Sequence, residues 1–196
     1  KAELRRLGPG RYAATALVDP GVHGCGSLAT ALAGTLVPRE GGLVLHASGI
    51  ELDGRGLLFI GPSGAGKTTA ANHCPGARWF ARDRAAVYPS AGGWYAAGMC
   101  GGDPIDLAPS ERQPLPLAGV LRIRRGEGRA CVRPLGACDA VFNLRESLQA
   151  ATEGPASEAA AFDALLALQA GAPVGELRSV LGGDLTPLLR GWMDGA

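Results

Sequence analysis

The segment Gly61-Pro62-Ser63-Gly64-Ala65-Gly66-Lys67-Thr68 fits G-x-x-x-x-G-K-[ST] in full. That spacing wraps phosphate oxygens in main-chain N–H groups. Gly61, Gly64 and Gly66 lack Cβ, so the backbone can turn its N–H groups inward. Lys67 stands where the β- and γ-phosphates of a nucleoside triphosphate would lie, and the Thr68 hydroxyl where Mg²⁺ would. Ser63, Ala65 and Thr69 complete the cradle. ATP with Mg²⁺ is the expected ligand. Of the 19 basic residues, only Lys1 and Lys67 are lysine. A chain this biased toward Arg has kept an ammonium where a compact, flexible cation fits between phosphates and a planar guanidinium does not.

A phosphate loop needs a downstream acid to complete its metal site. Asp83, at the end of the strand expected over Arg78–Arg82, is the candidate, and with Thr68 it forms the expected Mg²⁺ set. His46 ends the strand segment preceding the loop and could lie beside the γ-phosphate. His23 and His73 have no partner pattern and read as structural. Arg122, Arg124, Arg125, Arg129 and Arg133 read as a solvated hairpin face, from which one side chain could reach nucleotide or substrate.

These residues need elements to hold them. Leu43–His46, Ile50–Leu52 and Leu57–Ile60 read as consecutive short strands, the last running into the loop; Lys67–His73 reads as a helix ended by Pro75. Ala85–Tyr88 and Trp94–Ala97 should form a hairpin about Ala91-Gly92-Gly93. Val120–Arg124 and Ala130–Val132 suggest two strands around Gly126-Glu127-Gly128. Ala137–Ala150 and Ala156–Gln169 read as helices, Val174–Val180 as a strand and Leu185–Trp192 as a final helix. The Gly- and Pro-rich loop Gly98–Arg112 suits a mobile lid over an acceptor. Residues 1–42 stand apart as an N-terminal appendage whose pattern fixes little: a strand over Arg11–Val18 and a short helix over Ser27–Leu36, stopped by Pro38. Residues 43–196 form the nucleotide-binding domain. The whole is a mixed α/β chain with hairpins rather than a strict βαβ alternation.

Composition excludes several classes. With 46% hydrophobic and 19% charged residues the chain is globular, and a net charge of +1 supplies no field toward nucleic acid or a membrane. Aromatic residues are 5%, with no basic-aromatic stripe. No apolar run is long enough to span a bilayer. Five scattered cysteines without a C-x-x-C pair suggest reduced thiols in a cytoplasmic setting rather than a disulfide framework or zinc site. No L-S-G-G-Q-like segment or N-K-x-D stretch marks a transporter ATPase or a GTPase.

Leu45-His46-Ala47-Ser48-Gly49, Asp53-Gly54 and the strand-loop Leu58–Thr68 together resemble the HPr kinase/phosphorylase-like proteins, and most of all their short relatives in bacterial peptide-maturation clusters, including lasso-peptide precursor kinases. The likeness extends through Ala81-Arg82-Asp83-Arg84, Trp94–Gly98, Pro116–Ile123 and Ala172-Pro173-Val174, covering about residues 42–180. It implies an α/β fold of phosphoenolpyruvate carboxykinase-like type: a mixed-sheet phosphate-loop core with hairpins and C-terminal helices. It implies ATP- and Mg²⁺-dependent phosphorylation of a hydroxyl, usually Ser, on a peptide or protein, with oligomerisation as an option; a small-molecule kinase is a separate alternative. By the same resemblance Lys67 binds phosphate, Thr68 and Asp83 hold Mg²⁺, and His46 lies near the γ-phosphate. One departure stands out. The family pairs two acids where this chain has Arg82-Asp83, so the first acid is missing. Asp103, Asp106 or Glu111 could substitute, and because phosphoryl transfer is mostly positioning and electrostatics a missing base need not abolish it; the alternative is an ATP-binding regulatory module that has lost transfer.

Overall fold

The computed structural model describes residues 2–8, 11–16, 22–99, 113–149, 155–179 and 182–195. Strands β1 (Ala2–Gly8) and β2 (Arg11–Ala16) pair antiparallel as a two-stranded sheet. Helix α1 (Val22–Arg39) follows. It is longer than the Ser27–Leu36 expected, and it contains the Pro38 that was expected to stop it. Pro38 is the penultimate residue of the helix, which ends directly after it at Arg39. The chain then closes by N–H bonds from Glu40 and Gly42 to the Val37 carbonyl and from Gly41 to that of Pro38, with Gly41 at φ 79°. Although α1 falls in the stretch set apart as 1–42, it packs against the first strand of the main sheet and a late helix.

The main sheet begins with β3 (Leu43–Leu52) and β4 (Arg55–Ile60), a hairpin turned by Asp53 and Gly54, both at positive φ. Two strands were expected over Leu43–Leu52, and one is present. Gly49 makes no turn. It lies under the Phe80 ring, where a Cβ would sit 2.6 Å from Cζ. Beyond the loop come α2 (Lys67–Asn72), β5 (Arg78–Ala81), β6 (Arg84–Ser90) and β7 (Gly93–Gly98). β6 and β7 form the expected hairpin, with Ser90 opposite Gly93. β5 and β6 both pair antiparallel with β3, so the residues between them are pinned beside it.

The remaining elements are β8 (Leu115–Arg125), β9 (Cys131–Pro134), α3 (Ala137–Glu146), α4 (Pro155–Gly171), β10 (Val174–Ser179) and α5 (Thr186–Gly195). β8 and β9 do not pair as the Gly126–Gly128 turn suggested. One edge of β8 is taken by β4 and the other by β10, both parallel to it, which leaves β9 the outer edge of β10. β7 also pairs with the start of β8. The pairings β3–β4–β8–β7–β6–β3 therefore close a circuit, and the fold is a mixed α/β architecture of parallel and antiparallel strands. Two cores flank it. One gathers Leu43, Leu45, Phe80, Val120, Leu144, Leu165 and Leu168 beneath α3 and α4. The other gathers Ile50, Phe59, Leu121, Leu177, Leu189 and Met193 beneath α2 and α5. No described helix is long and apolar enough to cross a membrane.

Candidate functional site

The loop after β4 has the geometry its glycines allow. Gly61, Gly64 and Gly66 hold φ of 140°, 75° and 102°, values that favour glycine. Nothing lies within 4 Å of a Cβ built on Gly64, so the loop opens to solvent there. Lys67 begins α2 and is buried; its ammonium folds back over the loop, donating to the carbonyls of Gly61 at 2.8 Å and Pro62 at 3.1 Å. Burial lowers its pKa, and the Asp83 carboxylate opposes that shift. Thr68 and Thr69 are exposed on the first turn.

Asp83 reaches this loop because the sheet carries it there. The N–H of Ala47 donates to the Asp83 carbonyl at 3.0 Å, and Ser48 Oγ donates to the Arg82 carbonyl at 2.9 Å. These two bonds fix the β5–β6 junction against β3, next to His46. His46 Nε2 lies 3.3 Å from Asp83 Oδ1. Burial lowers the His46 pKa, the Lys67 charge lowers it further, Asp83 pulls it back up, and Arg84 lowers it. His46, Lys67 and Asp83 thus converge in one electrostatic site at the C-terminal end of β4.

The two arginines that flank Asp83 in the chain point to different partners. Arg82 stacks over the Trp79 ring, its guanidinium carbon 5.1 Å from the ring centre. Arg84 instead sets its Nε 3.5 Å from Asp83 Oδ2. The sequence set both arginines beside Asp83 without distinguishing them, and it offered no sign of the strap after α3, where the Ser147 carbonyl accepts from the His46 N–H at 2.7 Å and the N–H of Gln149 donates to the Val44 carbonyl. Asp103, Asp106, Glu111 and residues 100–112 of the expected lid lie outside the described residues.

Among the basic residues, Arg122 lies opposite Ile60 in the β4–β8 register, immediately before the loop. Arg124 and Arg125 line a cavity of about 120 Å³ with Gly64, Ala65, Gly66, Thr69 and Ala70. A larger cavity, about 620 Å³, lies among Pro134, Leu135, Pro173 and Trp192. It is at the start of β10, and because β4, β8 and β10 run parallel it lies at the opposite end of the sheet from the loop. Among the described residues, no titratable side chain lines it. His73, read as structural, accepts that role: its ring meets the Gly183 carbonyl at 2.9 Å and its own carbonyl accepts from Leu185. Cys74 is buried, and burial first, with Asp184 second, pushes its thiol up to about 12.

Among the described residues no group of three or more His, Cys, Asp or Glu is placed to hold a metal. Mg²⁺ does not require one, since it commonly takes one or two protein oxygens and completes its shell from phosphate and water. A half-exposed Asp83 carboxylate beside an open loop fits that pattern.

Residues 31–101, from within α1 past the end of β7, match the family model of the SynChlorMet cassette protein ScmC. That segment contains the loop, His46 and Asp83. No curated protein matches the chain. Among solved structures, the Hpr(Ser) kinase/phosphatase from Coxiella burnetii is similar to this chain, at 12% identity over 78% of it and 88% of the other, with a TM-score of 0.44.

Proposed function

We propose that the chain is a small kinase that holds Mg²⁺-ATP on Gly61–Thr69 and moves the γ-phosphate to a Ser-type hydroxyl of a peptide or protein, with a ribosomally made precursor peptide as the leading acceptor class. The observation that carries the reading is the convergence of Lys67, His46 and Asp83, with His46 Nε2 at 3.3 Å from the carboxylate. Lys67 would exchange the carbonyls of Gly61 and Pro62 for phosphate oxygens. Thr68 and Asp83 would hold Mg²⁺, which supplies charge neutralisation at the transferring phosphoryl group. The acceptor oxygen attacks Pγ, the bond from Pγ to the bridging oxygen breaks, and ADP leaves with its electron pair. The hydroxyl proton passes to the His46–Asp83 pair. His46 suits this step because burial and Lys67 favour its neutral form, leaving a ring nitrogen free to accept.

Radiolabelled ATP offered with the peptides encoded beside this gene tests the reading. Transfer is expected from the wild type, and turnover no higher than in Lys67→Ala overturns it. A regulatory ATP-binding module is the second reading, motivated by Arg82 where an acid would stand. Losing a general base costs about 10²–10⁴ in rate. Against that reading, the Arg82 guanidinium is taken up by Trp79 rather than by Asp83. Tight calorimetric binding of Mg²⁺-ATP without turnover, with activity appearing only in Arg82→Asp, would favour the module.

A further inference from the structure

We infer that the face formed by β8, β10 and β9 beside the phosphate loop is a docking site for an acidic segment of the acceptor peptide, an inference that rests on the kinase reading above. Its organising residue is Glu176, whose side chain is 3% exposed although three guanidiniums meet it. Arg133 Nη2 lies at 2.8 Å, Arg178 Nε at 2.9 Å and Arg124 Nε at 3.3 Å, each from an arginine that is about half exposed. Strand register sets this up. Glu176 faces Arg133 on β9, and Arg178 faces Arg124 on β8, so all four side chains share one face.

One carboxylate against three guanidiniums leaves a surplus of two positive charges. The whole chain carries only +1. This one patch therefore exceeds the net charge of the molecule. Two carboxylate oxygens cannot use all the N–H donors of three arginines, so these half-exposed guanidiniums keep donors that can meet further carboxylates. Arg124 also lines the cavity it shares with Gly64, Gly66 and Thr69, which joins the patch to the phosphate loop. An ATP-loaded loop repels an acidic acceptor, and a surplus of positive charge within a Debye length of about 10 Å offsets that repulsion. Charge complementarity thus favours a peptide with carboxylates flanking its hydroxyl.

The test is fluorescence anisotropy with a labelled serine peptide carrying six glutamates, beside the same peptide with glutamines. The glutamate peptide is expected to bind at least tenfold more tightly than its glutamine counterpart. Arg133→Gln and Arg178→Gln should each weaken it about fivefold, with the loss shrinking as salt rises. Binding of a fluorescent ATP analogue should stay unchanged in both variants, which also reports that they fold. Equal binding of the two peptides, no effect of either substitution, or stronger competition by a single-stranded oligonucleotide than by the glutamate peptide overturns the inference. Glutamate-peptide binding that persists where no phosphate is ever transferred sinks the kinase reading alone, whereas transfer that ignores the glutamates sinks the docking site alone.

Discussion

Lys67 and His46 are coupled, and that coupling can be measured. Removing the ammonium in Lys67→Ala deletes charge-assisted hydrogen bonds to phosphate, each worth about 1.5–3 kcal/mol, so Mg²⁺-ATP should bind about 10- to 100-fold more weakly by calorimetry. Lys67→Arg should fail to restore it, because a planar fork does not fit the ammonium's place over the Gly61 and Pro62 carbonyls. The His46 ring should titrate below 6.5 in an NMR titration of its Cε1–H signal, because burial and then Lys67 disfavour the cation. Asp83→Asn should lower the midpoint further, since Asp83 is the group that raises it; a midpoint moving up would contradict the geometry. The sign for stability follows. A histidine whose folded pKa is depressed contributes its full stability above 6.5 and loses it as pH falls from there through the folded value. Lys67 and His46 were legible because loop chemistry is local: a contiguous motif plus a residue at a strand end. Arg84 was not, because its approach to Asp83 depends on how β5 and β6 both return to β3.

At the level of elements, the site depends on β3 passing beneath Phe80 without a side chain in the way. Gly49 would place a Cβ 2.6 Å and 2.8 Å from ring atoms of Phe80, which is fully buried, and 3.0 Å from Leu58. Gly49→Ala should therefore cost about 1–3 kcal/mol through overpacking. The melting temperature should fall by about 2–4 °C for each kcal/mol, and an unchanged melting curve would mean the strand can shift to make room. Two strands were expected over Leu43–Leu52 because a glycine between apolar runs commonly punctuates a turn. Here it serves close packing, and only the partner strand reveals the difference. The same limit applies to the β8 and β9 segments. Their residues and strand character were readable, but their pairing was decided by β10, some fifty residues later in the chain. Elements with strong local patterns came through closely: α3 to α5, β10 and the β6–β7 hairpin.

At the level of the whole molecule, β3 and β8 belong both to the circuit that closes the sheet and to the strands bearing the phosphate site. The two cores lie on opposite faces of those shared strands, so neither can loosen alone without disturbing the other. Leu189→Ala on α5 and Leu165→Ala on α4 remove fully buried side chains from different cores, each costing about 2–5 kcal/mol. Both should shift one and the same unfolding transition, followed by circular dichroism and by the fluorescence of Trp79, Trp94 and Trp192. Separate transitions in either variant would show the two faces to be independent units. The bound nucleotide extends the argument, since a ligand that binds only the folded chain stabilises all of it. At a hundredfold excess over its Kd, Mg²⁺-ATP should add about 2.7 kcal/mol to the wild type. The added stability should raise the midpoint of that single transition, for both probes together. Lys67→Ala, binding about 10- to 100-fold more weakly, should gain only about 0.4–1.4 kcal/mol at the same concentration and so show a clearly smaller rise. A rise seen by tryptophan fluorescence but not by circular dichroism would place the nucleotide's effect in local order around the loop rather than in the closed sheet.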